Sequence, residues 1–188
     1  MGTSVTVRNG IDVDQLLGTI KAIESDPGLG GFTFKATSTW TEGTHSVGRI
    51  QEFTHAGVQD TSRSEGFTLE ADEPPVLLGN NAGPNAVELL LQALGFCYAT
   101  GYVANAAALG LEITSLQIEV EGDLDAGKFL GLAGPRAGFT AIRAHARVSS
   151  PNATREQLED LCRHVQDTSP VRDSLAAPVP VETTLQVV

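Results

Sequence analysis

The chain of 188 residues carries a formal net charge of −11 at pH 7, and its sequence pI is about 4.6. This acidic balance argues against binding to nucleic acids or anionic membranes, because both require basic patches. Two cysteines are too few for a disulfide framework, and the N-terminus lacks the apolar stretch of a secretory signal. The length suits one domain with a substantial core, and a reducing cytoplasm is the expected location.

The first half of the chain predicts one helix followed by three strands. Apolar residues recur at helical spacing between residues 11 and 23, which predicts a helix that ends before Pro27. Alternation of apolar and polar residues then predicts three strands, over residues 32–40, 45–53 and 67–71. A turn at residues 41–44 joins the first two strands, and residues 72–84 form a loop rich in proline, glycine and asparagine.

The second half is organised by a long apolar helix. Asn85 is placed as its N-cap, with Glu88 as the partner in a capping box, and the helix runs to near Gly110. Leucine and alanine fill most positions, so we expect this helix to be buried on nearly all sides. Gly95 and Gly101 interrupt it and its ends are polar, which argues against a membrane span.

Two alternating strands follow this helix. The outer positions of residues 116–121 are mainly acidic, whereas those of residues 142–148 are basic. Opposite charges across a strand pair are stabilising, so the pattern favours antiparallel pairing of these two strands. Residues 122–138 between them form a glycine-rich insertion.

An amphipathic helix over residues 154–166 and a last strand over residues 179–187 complete the predicted elements. Cys162 lies on the apolar stripe of that helix, so it is interpreted as a packing residue. Strands separated by a buried helix indicate an α+β fold with antiparallel sheets. The four histidines show no paired ligand spacing, so neither a metal nor a cofactor is expected.

The surroundings of Cys97 resemble a motif of the OsmC/Ohr family. That family's central helix reads roughly Glu-Leu-Leu-x-x-Ala-x-x-x-Cys. In the segment Pro84–Cys97 the matching residues are Glu88, Leu89, Leu90, Ala93 and Cys97. Residues 168–175 resemble the family's second cysteine-proline segment, although a serine stands in place of the cysteine. The predicted order of strands and helices also agrees from about Phe32 onward.

This resemblance implies an OsmC-like α+β fold, in which antiparallel sheets pack around a long central helix in an intertwined homodimer. Residues 1–188 would form one such domain, with residues 1–30 as an added helical arm. The two sites would lie at the subunit interface. In each, a central-helix thiolate attacks an organic hydroperoxide, a second cysteine closes a disulfide, and an arginine and a glutamate hold the thiolate.

A cation is needed because the thiolate is the nucleophile and a nearby positive charge lowers a thiol's pKa. Cys97 lies twelve residues beyond Asn85, too far to feel the helix N-terminus. Val87 occupies the slot of the family's glutamate, and Glu88 lies about 180° round the helix from Cys97, so Glu88 fits the capping box better. Ser169 stands where the second cysteine is expected and cannot form a disulfide. The candidates for the arginine are Arg49 and Arg63.

Two functions therefore remain open. The first is thiol-dependent reduction of an organic hydroperoxide, with Cys97 as nucleophile, Arg49 or Arg63 stabilising its thiolate, and Ser169 near the position of the missing thiol. The sulfenic acid would then need an external thiol, or Cys162 after a local rearrangement, and the second route is unattractive because Cys162 belongs to a packed stripe. The alternative is a non-enzymatic protein that binds an apolar small molecule near Cys97. Thiol reactivity separates the two, because a catalytic cysteine reacts fast at neutral pH and a packed one reacts slowly.

Overall fold

The computed structural model describes residues 5–134, 136–177 and 179–188. The chain divides into two compact units. The first unit comprises the residues up to Thr6 together with Asp12–Leu90, and the second comprises Val7–Ile11 together with Leu91–Val188. The assignment of residues 1–188 to one domain stays a prediction, and residues 1–4 of the predicted arm lie outside the described residues.

The elements form a mixed α+β fold with antiparallel sheets and a central helix, as the sequence predicts. The helices are α1 (Val13–Ser25), α2 (Ala86–Ala108), α3 (Arg155–Thr168) and α4 (Pro170–Ala176). The strands are β1 (Val7–Arg8), β2 (Ile11–Asp12), β3 (Phe32–Phe34), β4 (Thr37–Glu42), β5 (His45–Ile50), β6 (Phe53–His55), β7 (Val58–Gln59), β8 (Phe67–Ala71), β9 (Ser115–Asp123) and β10 (Ala141–Ser149). Single turns of 3-10 helix lie at Pro27–Gly30 and Pro75–Leu77.

The first unit contains two three-stranded antiparallel sheets, in the orders β4-β5-β8 and β3-β6-β7. The sequence predicts one strand over residues 32–40, but the structure has two, because β3 pairs with β6 whereas β4 pairs with β5. The predicted return strand over residues 45–53 is divided in the same way, between β5 and β6. Alternation continues through both breaks, so the period alone does not reveal that the pairing partner changes.

A buried carboxylate organises the loop that follows β8. Asp72 is only 3% exposed and accepts a hydrogen bond from the Thr44 hydroxyl at 2.6 Å. It also accepts the backbone N–H groups of Ala82, Asn80 and Glu73, at 3.1, 2.8 and 2.8 Å. Because these bonds favour the charged form, they hold the pKa of Asp72 well below its usual range. Asp72 thus joins both ends of the loop to the β4–β5 turn.

The predicted capping box of α2 is confirmed. The Asn85 side-chain oxygen accepts the Glu88 N–H at 2.9 Å, and the Glu88 carboxylate accepts the Asn85 N–H at 2.8 Å. The Asn85 amide also donates to Glu73 at 3.2 Å. The first turn of the helix is therefore stabilised by its own capping box. It is also hydrogen-bonded, through Asn85, to the loop that Asp72 organises.

The second unit packs α2 and α3 against the antiparallel β9–β10 hairpin. The register places Arg143 opposite Glu121, and their side chains form an ion pair at 2.6 Å, which confirms the predicted charge pairing of these strands. The inner faces of the elements form one apolar cluster. Its members include Leu94, Tyr98, Tyr102, Ala106, Leu161 and Val165 from the helices, and Leu116, Ile118, Val120 and Ile142 from the strands.

The C-terminal end of α2 is closed by the chain's own N-terminal hairpin. Gly110 adopts a φ of +79°, and the Leu111 N–H turns back to the Ala106 carbonyl at 2.8 Å. The last carbonyls of a helix have no partner within it, so they need donors from elsewhere. Arg8 of β1 supplies one to Ala107 at 3.1 Å, and Asn9 donates to the carbonyl of Leu111, just beyond the helix, at 3.0 Å.

The expectation that α2 is buried on nearly all sides is wrong for the single chain. Tyr102 and Ala106 are buried, but Phe96 is 65% exposed and Leu90 is 39% exposed. The reason is geometric, since within the second unit only one side of the helix faces α3 and the β9–β10 hairpin. The helix is long and apolar enough to cross a membrane by length and composition, yet it is not a clear membrane span.

The predicted terminal strand is also wrong. Residues 179–188 contain no strand, and the chain before them forms α4, which the sequence analysis did not predict. The alternating residues Val181, Leu185 and Val187 are exposed. A strand forms only when its backbone groups pair with a neighbour, and an alternating pattern does not supply that neighbour.

We predict that Asp72→Asn lowers the thermal unfolding midpoint at pH 7, because a neutral amide is a weaker acceptor for the four donors around it. The native pKa of Asp72 lies below the unfolded value of about 3.9, so the stabilisation is present above about pH 4 and is lost as the pH falls further. The difference between the thermal unfolding midpoints of the wild type and the variant should therefore decrease toward pH 3. Thermal unfolding followed by circular dichroism at several pH values measures both effects.

Glu65→Gln is the matched control for this prediction, because Glu65 is exposed and makes no hydrogen bond or ion pair among the described residues. It should unfold as the wild type does at every pH. An Asp72→Asn variant as stable as the wild type would show that the loop does not depend on this charge.

Candidate functional site

Cys97 lies in the middle of α2 and is half-buried beside the apolar cluster of the second unit. Its sulfur lies 3.1 Å from the hydroxyl oxygen of Ser169, which is itself only 5% exposed. The two residues are 72 positions apart in the sequence. The structure therefore brings together the two site residues that the sequence analysis placed on separate segments.

The position of Ser169 follows from the junction between α3 and α4. Ser169 ends α3 and is the N-cap of α4, where its hydroxyl oxygen accepts the Arg172 N–H at 3.1 Å. Pro170 occupies the first position of α4, where its fixed φ suits the helix and its missing N–H costs nothing. Since the Ser169 oxygen already accepts one hydrogen bond, its own hydrogen is free to point at the Cys97 sulfur.

The contact lies at one end of an antiparallel pair of helices. Moving along α2 from Cys97, Gly101 lies against Val165 of α3, and Asn105 then bonds His164 at 3.1 Å. A Cβ at Gly101 would lie 3.1 Å from a Val165 methyl, so only glycine allows this close approach without a shift. The close packing of α2 and α3 thus sets where Cys97 and Ser169 meet.

Cys162, the second cysteine, lies in a different layer of the same helix pair. Its sulfur accepts the Gln166 amide at 3.3 Å, and burial together with the neighbouring Cys162 raises the pKa of Tyr102. Seven residues separate Cys162 from Ser169, which is about 10 Å along α3 at 1.5 Å per residue. Ser169 is the residue that contacts Cys97, so Cys162 lies about two helical turns along α3 from that contact.

An arginine that the sequence analysis did not assign, the exposed Arg172, follows Ser169 in α4. Burial raises the pKa of Tyr98, the neighbour of Cys97, and the Arg172 guanidinium opposes that rise. Arg172 also donates to the Gln166 carbonyl at 3.3 Å. It stands three residues after Ser169 in the segment that carries the family resemblance, which is the one sequence signal that could have indicated it.

The two arginines that the sequence analysis selected belong to the first unit. Arg49 is exposed, donates to Gln51 at 3.1 Å and lines a surface cleft of about 230 Å³. Arg63 lies over the rings of Phe53 and Phe67, with 4.8 and 5.4 Å from its guanidinium carbon to the ring centroids. Each of these arginines thus has neighbours of its own within the unit, and a role for either at Cys97 stays a prediction.

No group of three or more metal-binding side chains lies within residues 5–134, 136–177 and 179–188. Both cysteines are free thiols. The expectation of no metal or cofactor stays a prediction.

Comparison with known proteins decides the family. The model of the family described as OsmC-like protein matches residues 79–184, which is more than half of the chain and includes Cys97, Ser169 and Arg172. The chain belongs to the OsmC-like family. No curated protein matches it significantly.

Solved structures show the same fold. The OsmC-like protein of Mycoplasma pneumoniae has a TM-score of 0.57 and 18% identity, over 78% of this chain and 89% of its own. A Legionella pneumophila protein named an organic hydroperoxide resistance protein OsmC has a TM-score of 0.52 and 16% identity, over 76% and 88%. An OsmC-like protein of unknown function from Vibrio cholerae has a TM-score of 0.54 and 14% identity, over 76% and 92%. At such identities the likeness is one of fold alone.

We predict that Ser169→Cys makes an oxidisable pair with Cys97. The wild-type sulfur and oxygen are already 3.1 Å apart, so a small side-chain rotation would bring two sulfurs to bonding distance. Mild oxidation of the variant should remove two free thiols and give a peptide cross-linked between positions 97 and 169, as measured by thiol titration and mass spectrometry.

Ser174→Cys is the control, because Ser174 lies on the same short helix but is exposed and bonds Pro170 instead. It should leave all its thiols free under the same mild oxidation. Equal oxidation of the two variants would mean that the contact between positions 97 and 169 does not persist in solution.

Proposed function

We propose that this OsmC-like protein reduces organic hydroperoxides through the thiol of Cys97. The observation that carries the proposal is the 3.1 Å contact between the Cys97 sulfur and the Ser169 hydroxyl. It is supported by the family membership, and by the name of the Legionella pneumophila protein that shares the fold. The protein would therefore act in the response to oxidative stress caused by peroxides.

The chemistry needs few groups. The Cys97 thiolate attacks the outer oxygen of the hydroperoxide, the O–O bond breaks, and an alcohol leaves after taking up a proton. Cys97 is then a sulfenic acid. The Ser169 hydroxyl can donate first to the thiolate and then to the sulfenate oxygen, in surroundings where a charge gains more from a donor than it does in water.

The return to the thiol requires an external reductant. Ser169 cannot form a disulfide, and Cys162 is packed on α3 about 10 Å along the helix from Ser169, the residue that contacts Cys97. A free thiol would therefore attack the sulfenic acid, releasing water and leaving a mixed disulfide, which a second thiol would reduce. A cytoplasm rich in small thiols suits this cycle, and we propose that location for the protein.

We expect Cys97→Ser to abolish consumption of an organic hydroperoxide by the reduced protein, because the nucleophile is removed, whereas Cys162→Ser should keep most of it. Consumption of cumene hydroperoxide is measured with a dithiol reductant present, and mass spectrometry follows oxidation at both cysteines. Selective sulfenic acid at position 97 in the wild type is the expected signature. Activity that follows Cys162 would refute the proposal.

Slow and unselective oxidation of both cysteines would favour the alternative, a non-enzymatic protein that binds an apolar molecule near Cys97. The half-buried position of the Cys97 thiol beside the apolar cluster of the second unit supports such a ligand. Screening of apolar ligands by thermal shift, with Cys97→Ser as the comparison, would then be the next measurement.

We also propose that the protein is a homodimer, as its family resemblance implies. The exposed aromatic side chain of Phe96 on the central helix supports this, because a large apolar group in that position gains free energy when a second copy covers it.

Phe96→Lys is accordingly expected to weaken the dimer by at least about tenfold, since burying an unpaired charge costs more than about 1.4 kcal/mol. Light scattering across a range of concentrations measures the effect. Phe129→Lys is the control, because Phe129 is exposed in the glycine-rich segment rather than on α2. A wild type that is monomeric at all concentrations would contradict the proposal.

A further inference from the structure

We propose that a surface cleft of the first unit binds a small organic anion, a molecule that carries a carboxylate or a phosphate group. The cleft has a volume of about 230 Å³ and is lined by Lys35, Ala36, Thr37, Arg49, Gln51 and Glu52. Pockets for drug-sized ligands have volumes of about 300–1,000 Å³, so the occupant of this cleft is smaller than those ligands. The proposal goes beyond the peroxide chemistry and does not depend on Cys97.

The cleft lies where the chain passes from one sheet of the first unit to the other. Residues 35–36 link β3 to β4, and residues 51–52 link β5 to β6. Because β3 pairs with β6 and β4 pairs with β5, both links cross between the sheets at the same end of the β4–β5 pair. Side chains from two separate links therefore meet around one depression.

Arg49 is the centre of a polar row beside these links. Thr37 lies opposite Arg49 on β4, and Thr68 lies opposite it on β8. Residues directly opposite each other on antiparallel strands have their side chains on the same face of the sheet. All three residues are exposed, so the row presents a guanidinium with a hydroxyl on each side to solvent. Hydroxyl and guanidinium groups are hydrogen-bond donors, which suits an anionic acceptor.

Gly66 leaves room for this guanidinium. A Cβ at position 66 would lie 3.0 Å from Arg49 Nε and 3.1 Å from the Gln51 Cβ. Arg49 also donates to the side-chain oxygen of Gln51 at 3.1 Å, which helps to fix its position. Arg49 forms no ion pair among the described residues. Its remaining N–H groups can therefore bind a carboxylate or a phosphate, whose oxygens match the planar guanidinium.

The charge of the cleft is opposite to that of the chain. Lys35 lies 3.6 Å from Glu52, and both side chains are more than half exposed. An exposed ion pair contributes little free energy, so the Lys35 ammonium can exchange Glu52 for a ligand oxyanion. With Arg49, the lining carries two cations and one carboxylate, in a chain whose net charge is −11. This local excess of positive charge favours an anion.

The test is a titration of the isotope-labelled chain with sodium acetate and, separately, with inorganic phosphate, followed by NMR at constant ionic strength. We expect saturable shifts of the Arg49 Nε–H signal and of the Thr37 and Gln51 backbone amides. Half-saturation at roughly 1–10 mM is expected for probes of only a few atoms. The anion that saturates at the lower concentration shows whether the ligand carries a carboxylate or a phosphate.

Three variants separate position from charge, with the Thr37 and Gln51 amides as reporters. Arg49→Gln removes the guanidinium and should raise the half-saturation concentration by about tenfold or more. Gly66→Val keeps every charge but fills the space of the guanidinium, so it should raise that concentration by at least about threefold. Lys21→Gln is the control, because it removes an exposed cation of the first unit outside the cleft. It should bind as the wild type does.

Shifts that rise linearly with both anions would overturn the proposal, and so would equal effects of Lys21→Gln and Arg49→Gln. Unchanged binding by Gly66→Val would also overturn it, because charge alone would then attract the anion. The dispersion of the amide signals shows whether each variant is folded, and Lys35→Gln is a second variant that removes a cation of the cleft without altering β5. Loss of hydroperoxide consumption in Cys97→Ser concerns only the proposed peroxidase activity, so the two proposals fail independently.

Discussion

The close packing of α2 on α3 is the contact on which the described site depends. Gly101 lets Val165 approach the backbone of α2, and Tyr102 and Leu161 are buried in the same cluster. Each fully buried side chain of this size contributes about 1.5–3 kcal/mol. Because the two helices run in opposite directions, this contact also determines which residues meet beyond it, and the last of these pairs is Cys97 with Ser169.

The junction between α3 and α4 places the Ser169 hydroxyl against the Cys97 thiol. A serine that caps a new helix must leave its oxygen facing the first turn, and the same oxygen contacts the thiol. The cap also fixes the backbone of Arg172, whose N–H donates to that oxygen at 3.1 Å. One short helix thus explains why a hydroxyl, in place of a second cysteine, faces the thiol.

The two units differ in how they are stabilised. The second has an apolar cluster between helices and strands, whereas the strands of the first leave several aromatic side chains exposed, among them Phe34, Trp40 and Phe67. In the first unit the buried carboxylate of Asp72 holds a turn and a loop together, because it accepts hydrogen bonds from four donors in them. A homodimer would provide the apolar cover that a single chain lacks, which is why we propose one.

Local signals in the sequence determined the elements whose partners are nearby. The Asn85–Glu88 cap needs only residues three apart, and the charges of β9 and β10 specify their pairing. What depends on distant residues was decided by the tertiary structure: the division of the early strands and the absence of a terminal strand. The start of α4, by contrast, has local signals in Ser169 and Pro170 that the sequence analysis did not use. The Cys97–Ser169 contact spans 72 residues, and the sequence indicated both members through a family resemblance but not their distance. That distance had no local signal, because contacts between two helices are set by how the helices pack and not by the period of either one.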